Sequence, residues 1–129
     1  MKLIVDTRTK REVVDITEQV EKILADQEKT EGLVNVFVKH TTAAVACADL
    51  DPGTDLDLLD VLESMIPNLK FRHEHKPEHA PDHILGTILG PSVTIPFMDK
   101  SLVLGTWQRV ILVEFDGPRK RELVVTINS

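Results

Sequence analysis

Two stretches constrain the fold of this chain more than any others. Ala43-Ala-Val-Ala-Cys-Ala48 and Val110-Ile-Leu-Val-Glu-Phe115 are apolar at odd and even positions alike, apart from Glu114. Side chains of a strand alternate between its two faces, so such runs need cover on both. Two helices and a short third offer little cover for a domain of 129 residues. A partner subunit is therefore expected to supply the rest.

The remaining patterns are mostly β. Leu3–Val5 and Val13–Ile16 are short apolar runs around the polar turn Asp6–Arg11, which predicts a hairpin. Thr17 caps a helix whose stripe is Val20, Ile23 and Leu24. Leu33–Lys39 is a strand with Val34, Val36 and Val38 on one face, and His40 continues that face. A second helix spans Asp55 to Met65, and Asp55 and Asp57 complement its dipole. Pro77 and Pro81 break the following segment, and Pro81 opens a short helix that Gly90 stops. Then come Ser92–Pro96, Ser101–Leu104, Trp107–Phe115 and Glu122–Ile127. The turn Asp116-Gly-Pro-Arg119 predicts a hairpin between the last two. The whole chain, 1–129, is one α+β domain dominated by antiparallel sheet.

Charge and composition narrow the function classes. A net charge of −6 argues against nonspecific nucleic-acid binding, although Arg119-Lys120-Arg121 forms a local basic cluster suited to phosphate. The apolar runs are too short to span a bilayer, so no membrane partner is expected. Charges arrive too early at the N-terminus for a secretory signal, and the single Cys47 fits a reducing compartment. A cytoplasmic protein is expected. With one cysteine, a metal would rest on histidines and carboxylates.

Four of the five histidines fall between His73 and His83, and the fifth is His40 at a strand end beside Thr41 and Thr42. Histidine ligates metals and moves protons near neutral pH. His40, His73 and His83 are placed to converge, either on a zinc-type metal with an open fourth position or on a phosphate. His75 and His79 stand among Glu74, Lys76 and Glu78 and suit a solvated loop. Glu114 shares a strand face with Val110 and Leu112, which is unusual for a carboxylate unless it is paired or used. The plain alternatives are a strand-end His40 satisfied by the backbone and a Glu114 in an ordinary buried ion pair with Arg119. Trp107, the only tryptophan, suits the core.

These residues together resemble the YjbQ family. The resemblance rests on His40-Thr-Thr-Ala-Ala44, Asp51-Pro52, His73, Pro81-Asp-His83-Ile-Leu85, Leu89-Gly-Pro-Ser92, Pro96, Leu102-Val-Leu-Gly-Thr-Trp-Gln108, Glu114 and Asp116-Gly-Pro-Arg119. It covers the chain from about Val34 onward. It implies two antiparallel sheets with flanking helices, a homotrimer, and a polar pocket around His40, His73, His83 and Glu114 near a subunit boundary. It also implies secondary thiamine-phosphate synthase activity, which joins hydroxymethylpyrimidine diphosphate to thiazole phosphate and releases diphosphate. Ala48-Asp49-Leu50 stands where the family often has an Asn-Glu pair.

Two functions are therefore expected in competition. One is an enzyme on a phosphorylated small molecule, with Thr41, Thr42, Ser92 and Arg119 as phosphate donors, and His40, His73, His83 and Glu114 as catalytic groups. The other is a metal-dependent hydrolase, or a metal or small-molecule binding protein, with His40, His73 and His83 as ligands to zinc or magnesium. No organic cofactor is expected in either.

Overall fold

A computed structural model describes all 129 residues. It contains strands β1 (Lys2–Asp6), β2 (Glu12–Asp15), β3 (Gly32–Val38) and β4 (Ala43–Asp49), with helix α1 (Thr17–Ala25) between β2 and β3. Helix α2 (Thr54–Ser64) follows. A single 3-10 turn (Pro77–His79) leads into helix α3 (Ala80–Leu89). Strands β5 (Ser92–Met98), β6 (Ser101–Leu102), β7 (Gln108–Glu114) and β8 (Lys120–Asn128) complete the chain.

The strands form two antiparallel sheets, ordered β1-β8-β3-β5-β6 and β2-β7-β4. Neither expected hairpin exists. β1 pairs with β8 while β2 pairs with β7, so Asp6–Arg11 crosses from one sheet to the other instead of folding back within one. Asp116–Arg119 likewise carries the chain from β7 in the small sheet to β8 in the large one. A polar turn between two apolar runs signals a reversal, but it does not say which sheet receives the next strand.

The double-sided strands find their cover within the chain. Ala43, Val45, Val110 and Leu112 face the large sheet, where they meet Val34, Val36, Val38, Leu123 and Val125, with Ile16, Val20 and Leu24 at the edge. Ala44, Ile111, Val113 and Phe115 face the other way and meet Leu62 of α2 and Leu85 of α3. The layers are thus large sheet, small sheet, and helices α2 and α3, while α1 packs into the core between the sheets. The face left bare is the outer side of the large sheet, where Ile4, Leu33 and Phe37 are exposed. Trp107 is 69% exposed and is no core residue, because it sits on the tight turn leading into β7 rather than in the strand.

Helix α3 is held closely. A Cβ on Gly86 would lie 2.7 Å from the Thr41 carbonyl oxygen, so only glycine lets the helix rest on the β3–β4 connection. Asp82, 1% exposed, receives Lys10 at 3.1 Å and Arg11 at 3.0 Å from the β1–β2 connection. Gly90, with φ of 97°, ends the helix as expected. Gly86→Ala should therefore lower the unfolding free energy by about 1–3 kcal/mol, the usual cost of overpacking. Urea titration checks this, and an unchanged midpoint would mean that α3 does not bear on Thr41.

Candidate functional site

Six connections carry the chain between the sheets, and the three short ones that meet here are 7–11, 39–42 and 115–119. All three lie at one end of the sandwich, because they bond to each other. Thr7 N donates to Arg119 O at 2.9 Å, Phe115 N to Thr42 O at 3.0 Å, and Gly117 N to Lys10 O at 2.9 Å. The candidate site is built on this corner.

At its base lies a buried ion pair across the sheets. Glu114, at the end of β7, and Arg121, near the start of β8, are 0% and 2% exposed. Arg121 Nε donates to Glu114 Oε2 at 2.7 Å, and Nη2 donates to Oε1 in a short contact. Nη2 also donates to the Thr42 hydroxyl at 2.8 Å and to its carbonyl at 3.1 Å. Thr7 Oγ1 donates to Oε2 at 2.8 Å and Asp116 N to Oε1 at 3.0 Å. Both oxygens of Glu114 are thus engaged twice. Every buried side-chain nitrogen or oxygen has a partner, yet Arg121 Nη1 makes no bond within the chain. Nη1 is therefore the part of this guanidinium that opens outward.

It opens on a cavity of about 370 Å³ without a single hydrophobic lining residue. The β3–β4 connection contributes Lys39, His40, Thr41 and Thr42. The β7–β8 connection contributes Asp116 and Arg119, and His79 and His83 close it from the start of α3. Arg119 is held in place: its Nε donates to Asp116 O at 2.8 Å and its Nη2 to Asp116 Oδ2 at 2.9 Å. Burial opposes ionisation of Asp116, but the Arg119 hydrogen bond and the charges of Arg119, His79 and Lys10 outweigh it and hold the carboxyl below its ordinary range.

His40 has a defined tautomer. Its Nε2 accepts the Glu122 amide at 3.0 Å, so the ring proton sits on Nδ1. Burial lowers its pKa from the ordinary histidine value, and the charge of Arg121 adds to this, while Glu114 and Glu122 oppose it. A neutral imidazole with an N–H to donate results. The Nε2 lone pair that a metal would need is already taken.

The expected site residues are thus distributed unevenly. His40, His83, Thr41, Thr42 and Arg119 line one cavity. Thr42 serves mainly to hold Arg121. Glu114 lies beneath the cavity as the partner of Arg121, not of Arg119. His73 does not line it; its ring stacks on that of His83 with centroids 4.9 Å apart, and its Nδ1 accepts the Lys76 amide at 3.1 Å. Ser92 begins β5 opposite Phe37 and is exposed, outside the cavity. No three His, Cys, Asp or Glu side chains of the chain gather closely enough to hold a metal. Lys39, His79 and Asp116 line the cavity without having been expected there, and Arg121, expected only as part of the basic cluster 119–121, is its buried member. The alternation Arg121, Leu123, Val125 along β8 was the available signal for Arg121, since it turns that arginine inward.

Related proteins share this whole architecture. A family model described as "UPF0047 protein YjbQ-like" matches residues 1–129. A UPF0047 protein of Archaeoglobus fulgidus is 39% identical over 126 residues, covering 97% of this chain and 98% of that one. A hypothetical protein of Aeropyrum pernix superposes with a TM-score of 0.91 at 35% identity, covering 100% of this chain and 97% of the other. A protein of unknown function from Sulfolobus solfataricus gives 0.90 at 36%, over 98% and 94% of the two chains. No helix is long and apolar enough to cross a membrane. The chain belongs to the UPF0047, YjbQ-like family.

Proposed function

We propose that the protein is an enzyme acting on a phosphorylated small molecule whose anionic group is held at the sheet-crossing corner. One observation carries this reading: the unpartnered Nη1 of a buried arginine, facing an all-polar cavity. A guanidinium nitrogen that meets no acceptor of its own chain, on an arginine otherwise fixed by buried bonds, is held ready to donate to an anion that enters the cavity. Thr41, Arg119, His79 and His83 stand around the same space as further donors. Glu114 acts as a positioning residue that aims Arg121. His40, neutral and protonated on Nδ1, suits the task of donating to an oxygen on which charge develops.

Thiamine-phosphate synthesis is the specific reaction we propose to test. There the bond between the pyrimidine methylene carbon and the diphosphate oxygen breaks, and both electrons leave on diphosphate. The thiazole ring nitrogen forms the new carbon–nitrogen bond with its lone pair. Cationic donors on the leaving diphosphate would supply most of the protein's help. A divalent metal on that diphosphate would need ligands beyond those one chain gathers. We further propose the homotrimer, with the outer face of the large sheet, where Ile4, Leu33 and Phe37 are exposed among polar neighbours, as the surface that a second copy would cover. The cytoplasm remains the proposed compartment.

Incubating the purified protein with both thiamine precursors tests the reaction. Formation of thiamine phosphate and diphosphate is expected, and Arg119→Lys should raise the concentration of phosphorylated substrate needed, since lysine lacks the bidentate fork. No binding of diphosphate at millimolar concentration would end the anion reading. Glu114→Gln should cost about 3–5 kcal/mol of stability, because it strands the charge of Arg121. If the variant instead unfolds like the parent and loses only turnover, Glu114 is a chemical base and not a support.

The tautomer of His40 has a pH signature. Its folded pKa lies below its unfolded value, so the unfolded chain binds the proton first as the pH falls. Stability should therefore decline below about pH 6.5, the ordinary histidine value. His40→Gln, whose amide oxygen can still accept the Glu122 amide, should show a shallower decline in denaturation midpoints between about pH 7 and 5.

A further inference from the structure

From residue 67 to residue 76 the chain has neither helix nor strand. The hydrogen bonds of this segment stay local. Leu69 N donates to Pro67 O at 3.0 Å, Lys76 N to His73 Nδ1 at 3.1 Å, and His79 N to Lys76 O at 2.9 Å. None reaches a sheet, α2 or α3. Phe71 and His73 are half-buried and every other residue of the segment is exposed. The His73 ring rests on that of His83, with centroids 4.9 Å apart. Both ends are firm by contrast. Pro67 closes α2, and Pro77 opens the turn into α3, which Asp82 fixes to Lys10 and Arg11. A strap with few bonds between two anchored ends opens at low free-energy cost.

The strap is also cationic within an acidic chain. It carries Lys70, Arg72 and Lys76 against Glu74 alone, while the whole chain has a net charge of −6. None of its three cations enters an ion pair. The chain delivers them to the rim of the polar cavity. Arg72 directly precedes His73, which stacks on the lining residue His83, and Lys76 precedes His79, another lining residue. The free cavity does not attract them. Lys39, Arg119 and Arg121 line it, and its one carboxylate, Asp116, already holds Arg119 at 2.9 Å. A multiply charged anion in that cavity reverses the sign of the field that the strap meets.

We propose that residues 67–76 are a lid, which stands open in the free protein and folds down on the polar cavity when an anion fills it. This rests on the anion reading above and adds how access to the site is controlled. Arg72 and Lys76 supply the attraction, and the segment between Pro67 and Pro77 absorbs the motion. The stacked His73 is the pivot, because it already ties the strap to a residue of the cavity wall. Once closed, the lid keeps bulk water from the bound group.

Limited trypsin digestion of the full chain, with sodium diphosphate as the ligand and sodium chloride at equal ionic strength as the reference, tests this. Trypsin cuts after Lys70 and Arg72, whereas the bond after Lys76 precedes proline and resists it. Exposed Lys29, in the connection from α1 to β3, serves as the internal control. Saturating diphosphate should slow cutting at Lys70 and Arg72 by about tenfold, a closed fraction of roughly nine in ten, and leave cutting at Lys29 unchanged. The double variant Arg72→Gln, Lys76→Gln should bind diphosphate at least about threefold more weakly in calorimetry and lose the protection at Lys70. Arg119→Gln, which weakens the anion site and not the strap, should shift the protection to higher diphosphate concentration. Diphosphate that binds without protecting the strap would overturn the lid and leave the anion site standing. No binding at all would overturn both. Equal slowing at Lys29 would mean global stabilisation and no lid. Protection unmoved by Arg119→Gln would mean that diphosphate coats the strap directly, and protection kept by the double variant would remove the charge attraction; either result overturns the inference.

Discussion

The pair of Glu114 and Arg121 is the interaction on which the rest depends. It joins the end of β7 in one sheet to the start of β8 in the other, and it lies under the corner where the β1–β2, β3–β4 and β7–β8 crossovers meet. Two buried charges are expensive to desolvate, and their attraction alone does not guarantee a net gain. Here the cost is offset by completeness. Thr7 and the Asp116 amide bind the carboxylate, while Thr42 binds the guanidinium, so one residue from each crossover is drawn in. The pair thus sets the mutual positions of three loops as well as the distance between two sheets. A hydrophobic replacement could fill the space, but it would leave those hydroxyls and that amide without partners.

The same arrangement explains why the corner is polar in an otherwise apolar interior. A strand that leaves one sheet for another must break its ladder, and the freed backbone groups need partners. The crossovers satisfy one another, and the side chains that complete the job are Thr, Asp, Glu and Arg. Once those groups are gathered, one arginine nitrogen remains over. The candidate site is in this sense the residue of a topological requirement, which binding chemistry can then use.

Much of this was legible in the chain. The strand and helix positions followed from period and from glycine and proline placement, because those signals are local. His40 at the end of β3 and the importance of Glu114 followed from alternation along one strand. What was not legible is non-local. Which sheet each strand joins depends on pairing such as that between Lys2–Asp6 and residues 120–124 of β8, more than a hundred residues away in sequence. Hence two crossovers were mistaken for hairpins, and the partner of Glu114 was sought at Arg119 rather than Arg121. The cover of β7 was sought in a second subunit for the same reason. Periodicity shows that a face must be buried, but not whether the chain's own helices or another copy bury it.

The distribution of histidines carries the last step. Crowding in sequence suggested one cluster, yet prolines at 77 and 81 turn the segment so that neighbours in sequence part company in space. His79, set aside as a loop residue, reaches the cavity, while His73 stacks behind His83 with its Nδ1 engaged by a backbone amide. His40 has its Nε2 engaged in the same way. A histidine whose acceptor nitrogen is bonded to the backbone presents only an N–H to a ligand. Two of the three histidines expected to bind a cation are therefore arranged to donate hydrogen bonds. Of these, only His40 lines the cavity, and its N–H beside the free Nη1 of Arg121 is the donor pair on which the proposed anion reading rests.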